Sequence, residues 1–207
     1  MKKRPEFNKT FPGDELIPNP RKIITHSVTI NAPPENIWPW LIQLGAGRAG
    51  WYSYDKIDNG GVPSARKIIP ELQHIEAGNI MPAVPKSEDS FLVWEVDPFK
   101  TLILVVPIMA ASEERDVLKR MKSPLRVSWI LHLEPVQSGI TKLISHGRIS
   151  PDWLYSVSDS PAKLFIERVY KFFSKMPWPL MRPFALTGHY IMESRMLKGI
   201  KWRAERV

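Results

Sequence analysis

Residues 24–59 read ITHSVTINAPPENIWPWLIQLGAGRAGWYSYDKIDN, and this passage decides the architecture. Ile24, His26, Val28 and Ile30 alternate with Thr25, Ser27, Thr29 and Asn31, the period-two pattern of a strand with one apolar and one wet face. Pro33 and Pro34 then suit the first turn of a helix, where the missing amide hydrogens would have no intrahelical partner. Ile37, Trp40, Leu41 and Leu44 follow at three- and four-residue spacing, an inward stripe that Pro39 confines to a short or kinked piece. The glycines of GAGRAG, Gly45 to Gly50, come after a helix and lack the spacing of a nucleotide fingerprint, so they are read as turn-formers.

Working outward, glycines and prolines between Gly45 and Pro85 are too closely spaced for long elements, apart from a helical turn within Tyr52 to Ile57. Strand patterns resume at Ser90 to Val96 and Thr101 to Val106, joined by Asp97-Pro98-Phe99-Lys100, and again at Arg126 to Glu134 and Ile140 to Ile149. Short turns between successive strands imply an antiparallel sheet. Ser112 to Lys122 reads as a loop or exposed helical turn, Ala162 to Lys175 as a helix, Met176 to Pro179 as an interruption, and the stretch to the C-terminus as a second helix. Such a helix can cover the apolar face of a curved sheet.

Three passages resemble the START-like ligand-binding and polyketide cyclase superfamily (SRPBCC). The first is the strand end and helix start carried by Ile30, Ala32, Pro33, Ile37 and Trp38. The second is the pair WILHLE (Trp129 to Glu134) and GITKLISHGR (Gly139 to Arg148), and the third is the closing helix from Phe184 to Arg206. Gln43 to Asn59 is similar to one bacterial subgroup of that superfamily. The resemblance covers most of residues 24 to 206. It implies an α+β helix-grip fold, a curved antiparallel sheet wrapped around a long C-terminal helix with an internal cavity. It also implies binding of a small, largely hydrophobic molecule such as a lipid or polyketide-like metabolite. The alternatives are a cyclase, aromatase or hydrolase using the same pocket, or a peripheral membrane or interaction module.

The chain has 207 residues, enough for one well-cored domain. Residues 1–22, with four prolines and no sustained periodicity, are read as an extended arm, and residues 23–207 as the domain. The basic start is followed by polar residues, so export by a signal peptide is not expected. The apolar run Leu102 to Ala111 is about half of the roughly 20 residues a membrane span needs. The expected place is therefore the cytoplasm, with the membrane periphery as an alternative.

Several side chains are candidates for chemistry. Strand parity sets His26 on the apolar face, either satisfied within the core or donating a hydrogen bond to a ligand oxygen. His132 falls on the opposite face from Trp129, Leu131 and Leu133, whereas the face of His146 and Arg148 is open. Arg48, Trp51, Tyr52, Tyr54, Asp55 and Asp58 crowd one loop, which is a structural latch, the polar rim of a pocket, or acid-base machinery. Trp129, Met192 and Met196 are candidate pocket walls opposite one another. No histidine pair has metal-ligand spacing and the chain has no cysteine, so neither metal nor cofactor is expected.

Net charge is +8, and Arg195, Lys198, Lys201 and Arg206 recur along the last helix beside Met192, Met196, Leu197 and Ile200. That is a solvated basic face or one attracted to an anionic membrane. Nucleic acid is not an expected partner, because the aromatic residues sit among apolar neighbours and do not alternate with Lys and Arg.

Overall fold

The computed structural model describes residues 9–85, 90–107, 122, 124–151 and 178–206, with side chains in the last stretch from Tyr190 onward. The expected helix over Ala162 to Lys175, the first half of the Met176 to Pro179 interruption and nearly all of the Ser112 to Lys122 segment lie outside these residues, whereas Trp178 and Pro179 open the last helix, where a missing amide hydrogen costs nothing. Six strands form one antiparallel sheet in the order β1-β6-β5-β4-β3-β2. They are β1 (Lys22–Ile30), β2 (Ile80–Pro82), β3 (Ser90–Asp97), β4 (Thr101–Pro107), β5 (Leu125–Gln137) and β6 (Ile140–Ile149). Helices α1 (Pro34–Ile42) and α2 (Asp55–Asp58) follow β1, and α3 (Trp178–Ala204) closes the chain. This is the helix-grip arrangement, an α+β fold. The short edge strand β2 has no counterpart in the sequence reading.

Register shifts at Val93/Glu95, Val106/Pro107 and Pro135/Gln137 bend the sheet, since an extra residue in one strand raises its local twist. The first of these also reverses parity along β3, so Trp94 joins the outer face while Val93 and Val96 pack inward. On the inner face Val28, Leu143 and Leu133 stand in one cross-strand row, and Leu131 and Leu102 continue the next. They share a core with Ile37, Trp38 and Leu41 of α1 and with Met196, Leu197, Ile200 and Ala204 of α3. Trp129, Leu131 and Leu133 thus meet Met196 and Ile200 as expected, but Met192 is only half-buried and lies outside that core.

A strand pattern with one wet face holds only for the edge strand β1, where Ile23, Thr25, Ser27 and Thr29 are exposed. Toward the centre both faces are buried, because residues 9–21 lie across the outer side. Phe11 (7% exposed) joins Ile103, Val105, Ile130, Ile144 and Leu92 in a second apolar cluster, and Leu16 packs against it. Polar contacts hold this segment down. The Phe11 amide donates to Asp14 Oδ2 (3.0 Å), while Arg148 donates through Nε to the Ile17 carbonyl (2.9 Å) and through a terminal nitrogen to that of Pro18 (3.2 Å). Asp14 Oδ1 stands 3.3 Å from the Arg148 guanidinium. The part of the arm described here is therefore a packed layer of the structure.

Truncating Phe11 tests that layer. Phe11→Ala should cost about 2 to 4 kcal/mol of unfolding free energy, as expected for removing a buried aromatic ring from a site that collapses partly. Urea denaturation reads it, and a loss below ~0.5 kcal/mol would mean that the segment does not cover the sheet in solution.

Candidate functional site

The inner face carries one connected set of polar side chains, assembled from three strands and α3. β1 alternation turns His26 inward, and the pairing of β1 with β6 sets Ser145 directly opposite it. One row away Trp129 of β5 stands opposite Gly147, which presents no side chain between Trp129 and Ile24. Trp129 Nε1 donates to Ser145 Oγ (2.7 Å). An indole N–H can only donate, so the hydroxyl uses its oxygen here and its own proton goes elsewhere. That proton is donated to Glu193 Oε1, and the other carboxylate oxygen, Oε2, is bonded to His26 Nδ1. Glu193 is 6% exposed, and the His26 side chain 18%. The Tyr190 ring meets the His26 imidazole in a T-shaped contact, 4.7 Å between centroids.

Around this chain the walls are aromatic and aliphatic. Trp51, Phe91 and Trp129 touch one another, with centroids 5.5 Å (Trp51 to Phe91), 5.7 Å (Trp51 to Trp129) and 5.1 Å (Phe91 to Trp129) apart. Trp51 is fixed by donating from Nε1 to the Ala83 carbonyl (2.8 Å). Burial along the face is graded: Ile30 is sealed, whereas Val28, His26 and Ile24 are half-buried.

The loop after α1 serves the fold. Gly50 has φ +79°, and a Cβ there would fall 2.3 Å from Ser64 Oγ, so the backbone turns where only glycine fits. Arg48, expected near a pocket opening, donates instead to the carbonyls of Leu44 and Ile42 (2.9 Å each), capping the end of α1. Burial lowers its pKa. Tyr52 is buried in the left-handed region (φ 57°), an uncommon place for a bulky residue. Its hydroxyl accepts from Gln43 Nε2 (2.7 Å), and the Arg203 guanidinium lies 4.0 Å over its ring. Burial pushes the phenol up to about 12, so it stays protonated at neutral pH. A Cβ on Gly199 would sit 2.3 Å from the Tyr52 carbonyl oxygen, so α3 crosses this loop at backbone contact.

Asp55 accepts from Ser64 Oγ (2.5 Å), and Tyr54 is exposed. Ser53 Oγ donates to the Met192 carbonyl (3.0 Å), tying the loop to α3. Of the candidates, the structure brings His26, Trp129, Trp51 and Met196 to the inner face and sets Arg48, Tyr52, Tyr54 and Asp55 into or beside the latch. Glu193 and Ser145 were not singled out from the sequence. The available signal was an acid on the inward stripe of α3, in line with Leu197, Ile200 and Ala204. His146 and Arg148 are resolved to the outer face under the arm, and His132 lies there too, its Nδ1 2.9 Å from Thr101 Oγ1. Among the described residues no three His, Asp or Glu side chains group as a metal site.

No family model matches this sequence, and no curated protein matches it. Similar solved structures include protein MLL2253 from Mesorhizobium loti, with 16% identity over 90% of this chain and 98% of that one at a TM-score of 0.41. The Polyketide_cyc-like protein Cgl2372 from Corynebacterium glutamicum is 18% identical over 86% and 88%, TM-score 0.37. Norcoclaurine synthase from Thalictrum flavum is 14% identical over 87% and 84%, TM-score 0.35. The resemblance carried by Ile30 to Trp38 and by the β5–β6 hairpin is one of fold, and it stands on the strand order and the closing helix.

Asp58 offers a pH test of the latch. Its carboxyl is buried and pushed up to about 6, first by burial and then by the Asp55 charge, and Oδ1 has no hydrogen-bond partner. A carboxyl whose folded pKa exceeds its unfolded value favours the native state most below the unfolded pKa and loses that benefit as pH rises through about 6. Asp58→Asn should therefore raise unfolding free energy at pH 8 by about 1 to 3 kcal/mol and flatten its pH dependence between about 4 and 7. A less stable variant at pH 8 would show that the ionised carboxylate has a favourable partner.

Proposed function

We propose that this protein binds a small, largely hydrophobic molecule between the inner face of the sheet and α3, with the polar end of the molecule at His26. The observation that carries this reading is the Trp129–Ser145–Glu193–His26 chain, a buried polar line in a mostly apolar face that ends on a half-buried imidazole. Binding sites for small molecules combine apolar and aromatic walls with a few convergent polar groups. The rings of Trp51, Phe91 and Trp129 are such a wall, and the graded burial from Ile30 to Ile24 opens the face toward the start of β1.

Native mass spectrometry of protein purified gently from its own host should show a retained small molecule. Naphthalene titrated against tryptophan fluorescence should saturate at one equivalent. Ile24→Trp, which adds bulk at the half-buried end, should abolish saturation while leaving the melting transition intact. Unchanged uptake in a folded Ile24→Trp variant would place the probe elsewhere.

A second reading rests on the outward face of α3. Ile191, Arg195, Lys198 and Trp202 are exposed, and the guanidinium of Arg206, just past the helix end, stacks 4.0 Å over the Trp202 ring. Lys201 and Arg203 are turned inward, to the carbonyls of Thr29 and Ala65. The exposed cations and the Trp202 ring match an anionic bilayer surface, and among the described residues no helix is long and apolar enough to cross one. Cosedimentation with vesicles containing phosphatidylserine should fall as salt rises and disappear in Arg195→Glu/Lys198→Glu. Equal partition onto neutral vesicles, or none onto either, would remove this reading.

A further inference from the structure

We infer that His26 Nε2 is a proton acceptor, held in that role by Glu193, and that the site takes an apolar ligand through an acidic hydroxyl such as that of a phenol or enol. The inference rests on the binding reading above and gives it a chemical class. Its logic is the direction of the hydrogen-bond chain. Trp129 N–H can only donate, which commits the Ser145 proton to Glu193 Oε1. An ionised carboxylate accepts at both oxygens, so Oε2 takes the Nδ1 proton of His26. The neutral imidazole is then the Nδ1–H tautomer, and its lone pair lies on Nε2.

Among the described residues no side chain or carbonyl engages Nε2, and the ring is not sealed, with 18% of the side chain exposed. A histidine oriented through one nitrogen by a buried carboxylate presents the other as a base, and the carboxylate stabilises the imidazolium that forms. Here the step is the transfer of a ligand O–H proton to Nε2. The electrons of that bond stay on the ligand oxygen, and the positive charge on His26 faces the negative charge on Glu193. The proton returns when the ligand leaves or when another of its atoms takes it. A role for neutral His26 as donor to a ligand oxygen is thereby replaced, because its one ring proton is held by Glu193.

Two measurements test this on the full-length protein. Nitrogen-15 correlation spectra of the imidazoles should show His26 as the Nδ1–H tautomer at neutral pH, the reverse of the tautomer that dominates for free histidine. An Nε2–H tautomer overturns the inference without any ligand being needed. Titrations should show 2-naphthol binding more tightly than naphthalene, with the preference falling about tenfold in Glu193→Gln, as for loss of a charge-supported hydrogen bond. Should Glu193→Gln fail to fold, Ser145→Ala is the second variant and should narrow the preference in the same direction. Uptake of naphthalene with no preference for 2-naphthol overturns the inference and leaves the binding reading standing. Uptake of neither probe overturns both.

Discussion

The buried carboxylate of Glu193 is the constraint on which the rest of the inner face depends. A charge can leave water only where donors replace its hydration, and a carboxylate left with one oxygen unmet inside a core is strongly destabilising. Ser145 and His26 supply those donors from adjacent strands, and Trp129 fixes the Ser145 hydroxyl from a third. All three reach the same side only in the observed register, His26 opposite Ser145 and Trp129 opposite Gly147. A one-residue slip of β1 would turn His26 outward and bring Thr25 or Ser27 in. Rotating α3 by one residue would replace Glu193 with Met192 or Ser194. The polar chain and the apolar packing of Met196, Leu197 and Ile200 therefore specify the same placement of helix on sheet.

That placement leaves the opposite face of the sheet to be covered by other means. The side chains of Ile103, Val105, Ile130 and Ile144 would form an exposed apolar patch if the chain began at β1. Phe11 and Leu16 cover it, while Asp14 and Arg148 hold the covering segment in register. A central strand such as β4, buried on both sides, then reads as a continuous apolar run. This is why LILVVP shows no alternation although it belongs to an antiparallel sheet.

Most of the sheet was legible because strand parity is a local property. It sorted His26 from His132 and set Trp129, Leu131 and Leu133 together, and the Pro-Pro start and Pro39 bounded α1. What stayed hidden depends on contacts between distant residues. Glu193 meets His26 across 167 positions and Ser145 across 48. Arg48 looked like a guanidinium on the rim of a pocket, yet the turns of GAGRAG fold it back onto the carbonyls of Leu44, just past α1, and Ile42, its last residue. Nothing in the local pattern encodes that reversal, since the glycines permit many turns and packing selects one. Met192 shared the helical spacing of Met196, but the inward position of that turn is taken by Glu193, and Met192 beside it is only half-buried.

His146 and His26 show how the same residue type acquires different chemistry on neighbouring rows of one strand pair. His146 faces out, directly across from Thr25, and its ring is buried under the arm. Thr25 Oγ1 is 2.7 Å from Nδ1, and Asp14 Oδ1 is 3.1 Å from Nε2 though out of line for a hydrogen bond. Phe11 packs over its ring at 4.6 Å, and burial, aided by the Arg148 charge, lowers its pKa against the opposing pull of Asp14. Such a ring is closed to a visitor by burial, at 4% exposed, and its work is to seal the arm. His26 faces in, one residue along β1, with Nδ1 committed to Glu193 and its ring only partly covered by Tyr190. A ring satisfied at one nitrogen and not sealed leaves the other open to solvent or to a molecule bound as proposed above. The difference between the two histidines is thus one of access: the unbonded nitrogen of His146 is sealed under the arm, whereas the His26 ring stays partly open on the inner face.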